Sequence, residues 1–407
     1  MDSMRLKELV SIHTASINPM DAPDKFFHLY SLPSFDENQK REEVFGRQIQ
    51  SNKSIVPNRC ILFNKLNVRF QRIWLIDNDD ADKICSTEFL PLIVDENKID
   101  FYYCYFLLHA PSITYYLTGQ NTNTSGSHKR IDPDDFLSIE VQLPPLPEQK
   151  RIGKFLFDIE QKIEVNRQIN DYLEAMARQL YDYWFVQFDF PNEKGRPYKS
   201  SGGKMVWNDN LKRLIPENWI NDNLGNVIDL FDFKRVPLSS IQRATMKGEY
   251  PYYGATGIMD YINDYIFDGE YVLLAEDGST SAPDGFPIVQ FVWGRIWVNN
   301  HAHIILPKER TNIHYTFLQL KSIPAKMMET GSIQKKISQE NMLKQRVVVP
   351  PKSVVAAFER IISPIWADKK NAIEQIDHLL KQRDELLPLL MNGQVSVKPL
   401  NNHLSHD

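Results

Sequence analysis

Cysteine is scarce: Cys60, Cys85 and Cys104 are the only three in 407 residues. The count is odd and no pair has C-x-x-C spacing. Neither a disulfide framework nor a cysteine-based zinc site is expected, and reduced, buried thiols are. No apolar run approaches the roughly 18 residues of a membrane span, and Met1-Asp2-Ser3-Met4-Arg5 holds no apolar signal core. A cytoplasmic protein is therefore expected. Positive charge is not in excess either. Lys and Arg number 47 against 52 Asp and Glu, a net charge of -5 with a pI near 6.1. That balance excludes a uniformly basic nucleic-acid coat or a polybasic membrane binder. It leaves room for local basic patches, because charges more than about 8 Å apart are largely screened from each other at physiological salt.

Catalytic motifs are also missing. There is no G-x-x-x-x-G-K-[ST] phosphate loop and no G-x-G-x-x-G dinucleotide loop. There is no H-E-x-x-H and no G-x-S-x-G elbow. The Asn/Asp-Pro-Pro-aromatic motif of adenine methyltransferases is absent, since the Pro-Pro pairs follow Leu143 and Val349. Pro133-Asp134 followed by Glu148-Gln149-Lys150 fits the loose nuclease pattern PD…(D/E)xK. That chemistry needs the second acid and the lysine on a strand, whereas here they follow Pro-Pro-Leu-Pro and open a helix. His301-x-His303 alternates along a strand, but no third ligand stands at recognisable spacing, so packing or hydrogen bonding is expected there rather than a metal.

What is present is a repeat. At about 150 residues per domain, the length predicts two or three domains, and the 42% hydrophobic and 24% charged composition is that of an ordinary globular protein. Arg130-Ile131, Leu137 and Val141 to Pro145 recur as Lys336-Ile337, Leu343 and Val347 to Pro351, each offset by 206 residues. Gly126-Ser127 matches Gly331-Ser332 with a one-residue slip. The chain therefore divides into two halves of about 200 residues, each ending in a short strand, Pro-Pro and a long helical pattern.

In the first helical pattern, alternating steps of four and three pass through Ile152, Leu156, Ile159, Ile163, Asn166, Asn170, Leu173, Ala177, Leu180 and Trp184. The same register 206 residues later passes through Phe358, Ile362, Ile365, Lys369, Ala372, Ile376, Leu379, Arg383, Leu386 and Leu390. Such a seam predicts coiled-coil helices, each roughly 50 Å long. Pro364 marks a kink or a later helix start. Asn166 and Asn170 interrupt the seam, and asparagine at such positions fixes register at some cost in stability.

The segments preceding the helices read as mixed α/β modules. Strands are expected at Cys60–Phe63, Glu140–Leu143, Tyr271–Ala275, Ile288–Trp293 and Ala302–Leu306, and a helix at Phe101–Leu108. Polar residues with Gly195, Pro197, Gly202 and Gly203 make 191–216 a linker. The expected division is a first module at 1–147, a helix at 148–190, the linker, a second module at 217–351, a helix at 352–393 and a frayed tail at 394–407.

Charge is segregated. Residues 40–72 hold Lys40, Arg41, Arg47, Lys53, Arg59, Lys65, Arg69 and Arg72 against Glu42 and Glu43, a net of +6. Residues 77–100 carry -6, 321–352 carry +5, and 249–294 hold eight acids and no base. Each half thus owns a basic segment suited to phosphate contact, offset by an acidic one. Beside these segments stand side chains suited to base edges, since Arg reads guanine and Asn or Gln reads adenine. Candidate contacts in the first half are Lys53, Asn64, Asn67, Arg69, Gln71, Arg72, Asn121, Asn123, Ser127, His128 and Lys129. In the second half they are Tyr252, Tyr253, Thr256, Ser332, Gln334, Lys335 and Lys336.

Two variable modules, each followed by Pro-Pro and a long helix, resemble the specificity subunit of type I restriction–modification systems. Leu143-Pro-Pro-Leu-Pro-Glu-Gln-Lys-Arg-Ile152 running into Asp158-Ile-Glu-Gln-Lys-Ile163 is similar to that family's first conserved region. Pro251-Tyr-Tyr-Gly-Ala-Thr-Gly257 through Tyr271-Val-Leu-Leu-Ala-Glu-Asp-Gly278 resembles a recurrent target-recognition block, and Tyr198 to Lys204 resembles the inter-domain segment. The second copy departs, with Pro350-Pro-Lys-Ser-Val-Val355 where the family has Leu-Pro-Glu-Gln, and the first module lacks the Tyr-Tyr-Gly block.

The resemblance implies an α+β protein with two α/β target-recognition domains separated by two long helices, which pack as an antiparallel coiled coil about a pseudo-twofold repeat. It implies a non-catalytic, cofactor-free subunit that reads a bipartite, asymmetric site in double-stranded DNA. Two modification subunits binding S-adenosylmethionine would dock on the outward helix faces, and motor–nuclease subunits would complete the complex. The readings from other classes are a PD-(D/E)xK-like metal-dependent nuclease and a coiled-coil adaptor without DNA binding.

Overall fold

The computed structural model describes residues 2–119, 130–331 and 335–398. Compact units are formed by 1–167 with 374–407, and by 168–373. The boundary cuts both long helices, Leu146–Tyr181 and Lys352–Met391, in mid-course rather than at the junction of module and helix.

In the first unit, β1 (Asp2–Arg5) is followed by β2 (Val10–Ile12), β3 (Arg59–Asn64), β4 (Ile73–Asp77), β5 (Phe89–Val94) and β6 (Glu140–Leu143). The order β2-β5-β3-β4 makes an antiparallel sheet, and β1 pairs separately with β6, Asp2 opposite Leu143. A second sheet joins Ser16–Ile17, Lys53–Ile55, Lys83–Cys85, Phe26–Tyr30 and Glu42–Phe45 in that order. Helices α1 (Phe101–Leu108), α2 (Pro111–Gly119) and α3 (Pro133–Leu137) pack with the first sheet around Phe63, Phe101, Phe106 and Phe136. Removing this apolar surface from water is the main favourable term in holding the layers together. Cys60, Cys85 and Cys104 are all free and buried, and burial pushes the Cys60 and Cys104 thiols up to about 12.

The second unit repeats the plan. Its elements are β7 (Ile220–Asn223), β8 (Ile228–Leu230), β9 (Lys247–Tyr253), β10 (Ile258–Ile262), β11 (Phe267–Ala275), β12 (Val289–Val298) and β13 (Ala302–Pro307). Helix α4 (Ile313–Ser322), β14 (Lys336–Ile337), α5 (Gln339–Lys344) and β15 (Arg346–Val349) follow. The sheet order is β8-β13-β11-β12-β9-β10, so β8-β13-β11-β12 reproduces β2-β5-β3-β4. Strand β7 pairs with β15 as β1 does with β6, Ile220 opposite Val349. Helices α3 and α5 begin 206 residues apart behind N-caps Asp132 and Ser338, each supplying a side-chain oxygen to an otherwise unpaired N–H.

Each unit contains an antiparallel pair of long-helix segments. In the first, Ile159 and Ile163 pack on Leu379, Asn166 donates to Gln375 at 3.4 Å, and Glu160 pairs with Arg383 at 2.6 Å. Ile152 and Leu156 join Leu390 in the module core, with Leu386 packed against it. In the second unit Glu174 binds Lys369 and Lys321, while Trp184 and Phe185 pack on Phe358. Ile362 lies in the same core, with Leu180 and Ile365 packed against it, and Leu173 and Asn170 are half-buried. A four-three repeat returns to one helix face, which is why a single register finds this interior line.

Two expectations change. The second helix is continuous from Lys352 to Met391, so Pro364 starts no later helix; its ring lies at an exposed position. The segment 191–216 is folded rather than a bare linker. Met205–Asn208 and Arg213–Pro216 form a hairpin, Asp189 accepts from Ser200 N and Oγ at 2.7 and 2.6 Å, and Ile215 enters the core, with Tyr198, Met205, Val206 and Leu211 packed against it. The polar, Gly-punctuated sequence concealed those few apolar anchors. Among the described residues, no helix is long and apolar enough to cross a membrane.

Candidate nucleic-acid interface

Equivalent edges of the two sheets carry the same backbone lattice. In the first unit Lys65 N donates to Glu88 O at 2.9 Å, Ile131 N donates to Lys65 O at 2.9 Å, and Leu66 bridges Arg130. In the second, Glu276 N donates to His301 O at 2.8 Å, Ile337 N donates to Glu276 O at 2.8 Å, and Asp277 bridges Lys336. Lys65 therefore corresponds to Glu276, Glu88 to His301, and Arg130 to Lys336. The cation at the loop base finds an acid in both cases. Arg130 grips Glu88, with Nη2 at 2.6 Å, and Lys336 reaches Glu276 at 3.0 Å. The bond from Arg130 holds Glu88 below the usual carboxylate range.

Around the first edge lie the connection from β3 to β4 and helix α2. Arg69 is exposed, Phe70 is 61% exposed, and the Arg72 guanidinium stands 5.4 Å from the Phe70 ring. Lys65 and Arg69 make no ion pair among the described residues, which leaves two cations on the connection that carries the exposed Phe70 ring. Around the second edge, Phe231 stacks on Phe233 with centroids 6.0 Å apart, and Lys234 lies over both rings at 5.3 and 5.9 Å. Phe233 is 78% exposed. Exposed aromatics with adjacent cations suit nucleic acid, where rings stack on bases and cations meet phosphates.

The sequence candidates divide between exposed positions and the interior. Asn64 is buried, and its amide is consumed by Leu66, accepting from N at 2.9 Å and donating to O. Tyr252 is 1% exposed and its hydroxyl accepts from Leu238 N at 2.9 Å. Both are withdrawn from base contact, because a polar atom satisfied inside the protein does not face the solvent side. Arg72 pairs with Asp36 at 2.6 and 2.8 Å, and Gln71 donates to His109 O at 3.1 Å and to Thr114. Asn67 takes a left-handed turn conformation with φ 51°. Lys53 is half-buried on the other sheet, with Nζ on Ser51, and burial lowers its pKa. Tyr253 is half-buried, whereas Thr256 is exposed in the turn closed by Gly254 N on Gly257 O. Lys335 pairs with Glu329 at 3.0 Å. Asn121, Asn123, Ser127, His128, Lys129, Ser332 and Gln334 lie outside the described residues.

The basic strip at 40–72 is largely neutralised within its own unit. Arg41 pairs with Asp80, Arg47 with Asp24, and Arg59 with Asp77 and Glu96. Part of the +6 and -6 contrast is thus internal ion pairing, through Arg41–Asp80, Arg59–Asp77 and Arg59–Glu96. Glu88, Arg130, Phe233 and Lys234, which the geometry brings to these edges, were not among the sequence candidates. The 206-residue offset already paired Arg130 with Lys336, whereas nothing periodic marks Phe233.

A metal-like cluster sits under the second edge. Asp232, Glu276 and His303 bring ligand atoms within 4.8 Å of one another. The donors are already engaged: Arg235 reaches Glu276 at 2.6 Å and Asp232 at 3.5 Å, and His303 Nδ1 lies 2.6 Å from Asp232. Burial pushes Asp232 and Glu276 up, yet the groups around them hold both below the carboxylate range. This is a charge-balanced network that does not fit a divalent cation. The nuclease spacing fails as well, since Glu148 and Lys150 lie in the first turns of a helix and Glu148 pairs with Arg151.

The family model for the type I restriction modification DNA specificity domain matches residues 2–175 and 216–375. A Haemophilus influenzae protein assigned as the type I restriction enzyme specificity subunit S.HindORF215P is 31% identical over 144 residues, covering 35% of this chain and 36% of that protein. The type I restriction enzyme MjaIX specificity subunit of Methanocaldococcus jannaschii is 24% identical over 330 residues, covering 76% of this chain and 72% of that one. The crystal structure of a type I restriction-modification system S subunit from M. genitalium shares the fold, with a TM-score of 0.59 at 13% identity, over 96% of this chain and 95% of that one.

Proposed function

Because the chain belongs to the type I restriction–modification DNA specificity family, we propose that it is the sequence-reading subunit of such a system. Each module reads one half of a split, asymmetric site in double-stranded DNA. The observation that carries this reading is the duplicated loop base, with Arg130 and Lys336 presented on equivalent sheet edges by the same hydrogen-bond lattice. Such a base aims two recognition loops, while phosphate contacts supply register and affinity. The helices, 36 and 40 residues long, set the number of base pairs between the half-sites.

The chain itself performs no chemistry in this reading. Two modification subunits bring S-adenosylmethionine and methylate adenine, which must leave the base stack to be reached. Motor–nuclease subunits complete the restriction complex in the cytoplasm. Docking on the helices is supported by Ile169, Tyr172 and Met176, which are exposed at three- and four-residue steps, one position ahead of the interior seam. Tyr172 is 75% exposed, and an apolar stripe left open to water marks a contact surface.

The test is to co-express the chain with its cognate modification subunit and map adenine methylation across the host genome. The expected result is one motif of two short blocks at a fixed gap. Methylation of a single undivided motif, or none above that of the modification subunit alone, overturns the reading.

A further inference from the structure

His303 is fully buried on β13, and both ring nitrogens face oxygen atoms. Nδ1 lies 2.6 Å from Asp232 Oδ2, and Nε2 lies 2.8 Å from the Ile337 carbonyl. A carbonyl only accepts, and an ionised carboxylate only accepts. Asp232 Oδ1 also accepts from Ile304 N at 2.8 Å, and Oδ2 accepts from Gln339 Nε2 at 2.6 Å. The ring thus bridges Asp232 and the Ile337 carbonyl, with Glu276 3.6 Å from Nδ1, Arg235 and Lys336 completing the network, and the His301–Asp277 pair beside it.

The position of this bond matters more than its strength. Ile337 belongs to β14, which follows the second recognition loop directly, and its neighbours Lys335 and Lys336 are candidate DNA contacts. The first unit lacks the device. Leu90 opposite Phe63 holds the place that His303 holds opposite Leu274, so the corresponding loop base rests on an apolar side chain.

We propose that His303, by tying Asp232 to the Ile337 carbonyl, is a positioning residue for the second DNA half-site and not for the first. This rests on the DNA-reading function proposed above. Without the ring the Ile337 carbonyl loses its partner, and the strand that carries Lys335 and Lys336 loosens. A buried polar network that is fully satisfied rigidifies its surroundings and specifies one arrangement.

The experiment uses the full chain with its modification partner. Discrimination at each half-site is measured with single-base variants of the mapped motif. His303→Leu, which installs the first unit's residue, is expected to relax the second half-site by roughly tenfold or more, the size of a lost base contact, and to leave the first unchanged. Asp232→Asn is expected to act in the same direction. Equal discrimination by the native protein and both folded variants, or equal relaxation of the two half-sites in His303→Leu, overturns the proposal. Failure of the native complex to methylate any split motif counts against the underlying function instead.

Discussion

Gln149 Oε1 accepts the Asp100 backbone N–H at 3.0 Å, while its Nε2 donates to the Pro144 carbonyl at 2.8 Å. One buried amide thus joins the start of the first long helix, the Pro-Pro turn before it and the N-cap of α1. Replacing Gln149 by Leu leaves a buried N–H and a buried carbonyl unpaired, and stability should fall by about 1–3 kcal/mol. The second unit has Val355 at the corresponding place. Chemical denaturation of the full chain checks this, and an unchanged midpoint would mean that water replaces the amide without loss.

Gly153 lies one turn further along the same helix. A Cβ there would come within 2.4 Å of Asp100 Oδ1 and 2.6 Å of Tyr103 N. The contact is against backbone, which has little freedom to retreat. Gly153→Ala should therefore destabilise by about 1–3 kcal/mol, although alanine favours a helix by about 1 kcal/mol in isolation. A thermal melt showing stabilisation would sink the close-packing argument.

What the residues revealed in advance follows from how each interaction is spaced along the chain. The seam from Ile152 to Leu390 was legible because helix geometry turns a local repeat into one face. The repeat was legible because Arg130 and Lys336, or Val141 and Val347, keep one constant offset. The ionic network was not, because Asp232, Glu276 and His303 are separated by 44 and 27 residues and only sheet register brings them together. Asn64 and Tyr252 misled for a related reason: polar side chains look solvent-facing until their backbone partners at Leu66 and Leu238 are known.

Glu174 offers a pH-dependent test of the helix pair in the second unit. Burial alone would raise its pKa, but Lys369 and Lys321 outweigh burial and hold it at about 2. A carboxylate depressed in the folded state stabilises fully above its unfolded pKa, near 4.5, and loses that contribution as pH falls toward 2. The side chain is about one-third exposed, so screening reduces the effect to about 1–2 kcal/mol at neutral pH. Glu174→Gln should be less stable by that amount at pH 7, with the gap closing through the acid range. A gap independent of pH would show that shape rather than charge is responsible.

Arg69 and Arg72 are three residues apart on the same connection, yet they should behave differently. Arg72 is already engaged by Asp36 in a two-point ion pair, whereas Arg69 is exposed beside Phe70. If the first module approaches DNA through this edge, Arg69 meets phosphate. Arg69→Ala should then weaken binding to specific and unrelated sequences alike, and lower the slope of log affinity against log salt by about 1. Arg72→Ala should leave that slope unchanged and cost up to about 1 kcal/mol of stability. Salt-titrated binding by the complex with its modification partner separates the two. An unchanged slope for Arg69→Ala would move the DNA away from this edge, and a reduced slope for Arg72→Ala would show that DNA displaces Asp36 from the guanidinium.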